Sequence, residues 1–142
     1  MLYVNRIRNS VCKASPDLIY GVPRGGVVPA VVLSHYCGIP VVFSQSAPPV
    51  SSKCSILIVD DCFETGAAIN KAVYEASTFT SKIFTLCLVV KTLYCKDFTD
   101  RCAYYDKVVE DDSWVVFPWE DPTKAVSEKQ ERRIKLKEVN IF

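Results

Sequence analysis

Ile56-Leu57-Ile58-Val59 runs without a break into Asp60-Asp61, and that junction limits the possible folds of this chain more than any other segment. An apolar run this short reads as a strand buried on both faces, which requires a parallel sheet under helices. The two carboxylates that follow must then lie at the carboxyl edge of the sheet, where open α/β folds bind their ligands. Glu64, Thr65, Gly66 and Ala67 come next and open a helix-like run from Ala67 to Ala76. Backbone N–H groups at a helix N-terminus make a seat for phosphate. One segment therefore offers a phosphate cradle beside acids suited to a metal or to sugar hydroxyls. The plainer alternative is a buried strand followed by a solvated acidic turn.

The rest of the chain carries the same rhythm. Asn5 to Lys13 can form a short helix with Val4, Ile7, Val11 and Cys12 on one side, ended by Pro16. Asp17 to Gly21 reads as a first strand, and Val22-Pro23-Arg24-Gly25-Gly26 as a glycine-rich turn. Val27 to Tyr36 is then a helix that tolerates Pro29 in its first turn and closes on Gly38. Pro40 to Phe43 is a second short strand, and Ser44 to Lys53 a loop rich in serine and proline. Ile83 to Val90 is a further strand ending at Lys91, and Ala103 to Val109 a fifth. Strands alternating with helices in this way predict an α/β fold with a doubly wound, mainly parallel sheet flanked by helices. Gly21 ends the first strand, and Gly25, Gly26 and Gly66 fall in the turns after the first and third strands. Both turns would open at the same sheet edge, so they would share a ligand.

Composition narrows the function. A chain of 142 residues corresponds to a single domain, 1–142, large enough for a real core. A net charge of +1 exerts no long-range pull on nucleic acid or membrane. The tail from Asp121 to Glu138 reads as a C-terminal helix. Its Lys129, Arg132, Arg133, Lys135 and Lys137 interleave with Glu128, Glu131 and Glu138, as on a solvated helix face, which argues against a nucleic-acid partner. The N-terminus has no secretory pattern, and no apolar run approaches the ~20 residues of a membrane span. Seven cysteines are odd in number and contain no Cys-x-x-Cys pair. Those in apolar runs, such as Cys87, read as small buried hydrophobes. A reduced, cytoplasmic protein is the expectation, in preference to a disulfide scaffold or a zinc site. His35 has no ligand partners at metal spacing and reads as a structural or surface residue.

Three segments carry a resemblance to a known family. Ile58-Val59-Asp60-Asp61-Cys62-Phe63-Glu64-Thr65-Gly66 resembles the phosphoribosyl-pyrophosphate signature of the type I phosphoribosyltransferases. Gly21-Val22-Pro23-Arg24-Gly25-Gly26-Val27-Val28-Pro29 is similar to that family's pyrophosphate loop. Asp112-Ser113-Trp114-Val115-Val116-Phe117-Pro118-Trp119-Glu120 resembles the small hood, about 111–120, of its purine branch, close to the xanthine-guanine and hypoxanthine enzymes. The three occur in family order between about Asp17 and Glu120.

The resemblance implies transfer of ribose 5-phosphate from 5-phosphoribosyl 1-pyrophosphate to a purine, giving a nucleoside monophosphate and pyrophosphate. It implies that Asp60 and Asp61 face the ribose hydroxyls, directly or through magnesium and its water. Glu64, Thr65, Gly66, Ala67 and Ala68 would belong to the 5′-phosphate site, with Glu64 also the candidate general base. Arg24 and Gly25 would hold pyrophosphate, after a cis peptide bond at Pro23–Arg24. Lys91 would bond the six-position oxygen of the base, Trp114 would stack on its ring, and the Val115 backbone would read its edge. A homodimer or homotetramer is implied as well.

Some positions differ from the family pattern. Glu64 replaces an aspartate, Ala68 a threonine, Cys62 and Phe63 stand where aliphatics are preferred, and the Ser44 to Lys53 loop is shorter than the usual lid. Two other functions compete with purine transfer. One is transfer to another heterocycle. The other is a non-catalytic regulator that binds phosphoribosyl pyrophosphate, which would want a basic face.

Overall fold

The computed structural model describes residues 2–43, 52–94, 103–110 and 114–124. The chain divides into two units, Met1–Asp111 and Asp112–Phe142. In the first, helix α1 (Leu2–Ala14) leads into strand β1 (Leu18–Gly21), helix α2 (Val27–Cys37) and the short strand β2 (Val41–Val42). Strand β3 (Ile56–Phe63), helix α3 (Ala67–Ser77), strand β4 (Ile83–Lys91), a single 3₁₀ turn (Thr92–Tyr94) and strand β5 (Ala103–Val109) follow.

The five strands form one parallel sheet in the order β2-β1-β3-β4-β5. From β1 the chain steps outward to β2, and from β3 it steps the other way to β4. Parallel crossovers are right-handed, so opposite steps put α2 and α3 on opposite faces of the sheet. The central strands are covered twice, and Ile56, Leu57, Ile58 and Val59 are all buried. On one face Ile69 and Ala72 of α3 pack with Leu18, Ile56, Ile58, Cys87, Phe63 and Val90. Pro29, Ala30 and Leu33 are the buried residues of α2.

Polar bonds fix the register at the amino edge. The Asp17 carboxylate accepts the Ser55 N–H at 2.7 Å and its hydroxyl at 2.9 Å. The Asp17 N–H in turn donates to the Ser55 carbonyl at 3.0 Å. Leu18 is thereby set opposite Ile56, and the aliphatic run of β3 lies in step with β1.

The helix expected over Asn5 to Lys13 extends to Leu2 and Ala14, and Gly38 caps α2 in the left-handed conformation. The expectation of uniformly reduced cysteines is corrected at two positions: Cys12 and Cys37 form a disulfide. The C-terminal ends of α1 and α2 lie side by side. Arg8 of α1 lies over the Tyr36 ring of α2 at 5.4 Å, and the Cys12 and Cys37 Cα atoms stand 5.2 Å apart, within disulfide reach. A pairing between cysteines 25 residues apart on two helices leaves no short-range sequence signal. Cys54, Cys62 and Cys87 are free thiols.

The bridge encloses β1, the glycine turn and α2. Closing a loop of this size restricts the unfolded chain and stabilises the fold by about 3 kcal/mol. Dithiothreitol should therefore lower the urea midpoint, and Cys37→Ser should remove that sensitivity. Identical midpoints with and without reductant would count against the bridge.

In the second unit the Phe117 and Trp119 rings stack at 4.9 Å, and the Glu120 carboxylate accepts the Phe117 N–H at 2.9 Å. Residues 122–124 are helical. The remainder of the expected C-terminal helix, and residues 44–51 of the expected loop, lie outside the described residues. Among the described residues no helix is long and apolar enough to cross a membrane.

Candidate functional site at the switch in strand order

In sheets of this order the strand direction of travel reverses between β1 and β3, which opens a crevice at their carboxyl ends. Both glycine-containing turns meet there. The Val22 N–H donates to the Val59 carbonyl at 2.8 Å, so the first turn stays bonded to β3 after β1 has ended. The Pro23–Arg24 peptide bond is cis, and the Arg24 side chain is exposed. Gly26 N–H bonds back to the Val22 carbonyl at 3.0 Å and closes the turn.

Gly25 and Gly26 are required by close approach. A methyl built on Gly25 would fall inside the Asp61 carboxylate, and one on Gly26 would meet the Val59 carbonyl and stand 2.8 Å from Asp60 Cα. The Asp61 side chain thus lies directly on the backbone of the first turn. Its Oδ1 also accepts the Cys62 N–H at 2.7 Å, while Asp60 Oδ1 accepts the Asp61 N–H at 2.9 Å. These bonds orient the acid pair from within its own strand. β3 continues past Val59 through both acids to Phe63, paired with β4 at Asp60↔Cys87 and Cys62↔Val89.

Burial pushes the Asp60 carboxyl up to about 7, and the adjacent Asp61 charge adds to the rise. A half-buried acid pair in which the Asp60 carboxyl resists ionisation is a place where a cation would be welcome. The donors are hard oxygens, and magnesium takes only one or two protein carboxylates when substrate oxygens complete its shell. Asp60 and Asp61 fit that role. Among the described residues no cluster of three or more His, Cys, Asp or Glu side chains is built to hold a metal alone. The Cys62 thiol is pushed up to about 12, by burial first and by the Asp61 charge second, so it stays protonated at neutral pH.

The second turn begins α3. Gly66 is its N-cap, left-handed at φ 76° and ψ 0°, and its carbonyl accepts the Asn70 N–H at 2.8 Å. Glu64, Thr65, Ala67 and Ala68 have exposed side chains. The Thr65 hydroxyl accepts the Ala67 N–H weakly, at 3.4 Å. This is an open helix N-terminus of the kind that receives phosphate.

Lys91, at the end of β4, is 4% exposed and so is not a solvated strand-end lysine. Its positive charge acts on Cys62. The structure thus brings Arg24, Gly25, Asp60, Asp61, Glu64, Thr65, Gly66, Ala67, Ala68 and Lys91 to one edge of the first unit. Trp114 and Val115 are half-buried in the second unit. Sequence reasoning missed Gly26, whose approach to β3 is as close as that of Gly25. The signal was present, since two adjacent glycines after a strand imply backbone contact on both sides.

This architecture, five parallel strands flanked by helices with the two turns at the switch, is the type I phosphoribosyltransferase fold. A purine phosphoribosyltransferase from Pyrococcus horikoshii Ot3 is similar with a TM-score of 0.65 and 27% identity, over 84% of this chain and 87% of that one. A hypoxanthine-guanine-xanthine phosphoribosyltransferase is similar with a TM-score of 0.65 and 15% identity, over 87% of this chain and 83% of that one. An orotate phosphoribosyltransferase from Aeropyrum pernix gives a TM-score of 0.58 and 19% identity, over 75% of this chain and 69% of that one. No family model matches the sequence, and no curated protein matches it.

Proposed function

We propose that the chain transfers ribose 5-phosphate from 5-phosphoribosyl 1-pyrophosphate to a 6-oxopurine (guanine, xanthine or hypoxanthine), releasing pyrophosphate. The observation that carries this reading is the seat of the Asp61 carboxylate on Gly25. It couples the acid pair to the glycine turn, while the same strand runs on into the helix N-terminus at Gly66. Pyrophosphate, ribose and 5′-phosphate would then lie side by side along one edge, as one activated sugar requires.

Each group has a physical role. Arg24 presents a planar fork that matches phosphate oxygens, and the Gly25 backbone lets pyrophosphate approach closely. Asp60 and Asp61 would face the ribose hydroxyls and hold magnesium, which when bound neutralises charge on the leaving pyrophosphate. Backbone N–H groups from Glu64 to Ala68 would take the 5′-phosphate. As the bond to pyrophosphate loosens, positive charge builds on the sugar ring, and donors already fixed at the leaving group lower the barrier. Glu64, exposed beside the cradle, would accept the purine proton. Lys91 favours a 6-oxopurine because an ammonium donates to the exocyclic six-position oxygen and cannot accept from an amino group. The neighbour named a purine phosphoribosyltransferase, at 27% identity, supports a purine over orotate.

Incubation of the protein with magnesium, the activated sugar and a panel of radiolabelled purines and pyrimidines tests the reading. Nucleotide from one or more 6-oxopurines is expected. Tight binding of the sugar with no product from any base would overturn the transferase reading and leave a sugar-binding regulator. Glu64→Gln should lower turnover and leave the affinity for the activated sugar unchanged. A rise confined to the KM for the base would show that Glu64 positions the base and does not take its proton.

A further inference from the structure

We propose that Phe63 is a positioning residue for the 5′-phosphate, its ring holding the Gly66 turn in the shape that receives the anion. This deepens the transferase reading and rests on it. Phe63 is the last residue of β3, paired with Val90 and 4% exposed. A methyl built on Gly66 would stand 2.6 Å from Phe63 Cζ and 2.9 Å from Cε2, so the ring lies against the Gly66 backbone itself. Gly66 is the left-handed residue from which α3 starts, and its carbonyl makes the first bond of that helix. The ring also shares its cluster with Ile69 and Ala72, the two buried residues of α3. One side chain thus joins the end of the central strand, the hinge of the turn and the first two turns of the helix.

The sequence of the turn makes this contact matter. Among residues 64–68 Thr65 has the sole hydroxyl, Glu64 is an anion, and Gly66, Ala67 and Ala68 offer no side-chain donor. Phosphate binding must therefore rest mainly on where the backbone N–H groups stand. A displacement of about 1 Å in a positioned site can cost about 100-fold. A rigid ring with two rotatable bonds fixes the hinge, and a flexible aliphatic chain of similar volume would fill the space without fixing it.

The test is calorimetric binding of two probes, ribose 5-phosphate and magnesium pyrophosphate, to the wild type, Phe63→Leu and Phe63→Met. Methionine has about the volume of leucine but is unbranched and adaptable, so it fills an irregular gap differently and gives a second folded variant if leucine packs poorly. Ribose 5-phosphate affinity should fall about tenfold in either variant, within that positional cost. Pyrophosphate affinity should stay within about twofold, because Arg24 and Gly25 lie in the other turn. Equal loss for both probes, or unchanged affinity for ribose 5-phosphate in a less stable protein, would reduce Phe63 to core packing and overturn the proposal. Wild-type protein that binds neither probe would instead remove the transferase reading and this inference with it.

Discussion

Gly25→Ala should lower phosphoribosyl transfer by about 100-fold or more while the chain stays folded, and Gly26→Ala should damage the fold itself. The difference lies in what each methyl would meet. At Gly25 the obstacle is the Asp61 carboxylate, a side chain that can rotate away. Its rotation breaks the acceptor bond to Cys62 and removes Asp61 from the place where the two turns join. At Gly26 the obstacles are the Val59 carbonyl, Asp60 Cα at 2.8 Å and the Val22 carbonyl at 2.9 Å. All three belong to backbone already bonded across the switch, and none can move alone. Overpacking of this kind costs roughly 1–3 kcal/mol, or more where backbone must shift, against a total stability of about 5–15 kcal/mol. Urea unfolding and steady-state rates on both variants separate the two effects. Near-normal transfer by Gly25→Ala would show that Asp61 does not work from its seat on the turn. An unchanged urea midpoint for Gly26→Ala would show that the turn yields more easily than its contacts imply. The double variant Gly25→Ala/Asp61→Ala should regain stability without regaining transfer.

Residue chemistry explains which parts of this architecture are legible in the sequence. Ile56 to Val59 identify a doubly buried strand because four apolar side chains allow nothing else, and β1 and β4 fall close to the expected positions for the same reason, while the edge strand β5 follows from its aromatic and β-branched residues. The strand expected to end at Val59 runs on to Phe63, however. Side-chain polarity stops the apolar pattern at Asp60, while backbone pairing to Cys87 and Val89 carries the ladder through. The acid pair is therefore part of the sheet, which is why Asp60 is desolvated enough to shift. Arg24, Gly25 and the cradle residues were legible through local turn chemistry. The seat of Asp61 on Gly25, the support of Gly66 by Phe63 and the Cys12–Cys37 bridge were not. Each joins residues set by packing between elements, and no local periodicity encodes such contacts.

Binding of magnesium with the activated sugar should strengthen about tenfold per pH unit up to about pH 7 and level off above it. The Asp60 carboxyl sits at about 7, raised by burial first and by the Asp61 charge second. Below that value the folded, unliganded protein holds a proton on the pair, which the cation must displace. Calorimetry at pH 6 in two buffers of different ionisation enthalpy should record the release of nearly one proton per binding event, and clearly less at pH 8. The same shift has the opposite sign for stability. An ordinary aspartate ionises near 3.8, so between about 4 and 7 the unfolded chain has lost a proton that the fold retains. Stability from this group is then full below about pH 4, declines as pH rises through the window, and is constant above about 7. Each unit of the window costs about 1.4 kcal/mol. Asp60→Asn should remove the pH slope of binding and raise the urea midpoint at pH 8 above that of the wild type. A wild-type protein whose affinity for the magnesium-bound sugar is flat from pH 5.5 to 8 would assign the proton elsewhere, and a variant less stable than wild type at pH 8 would mean that the Asp60 bond to the Asp61 N–H outweighs the cost of burying its charge.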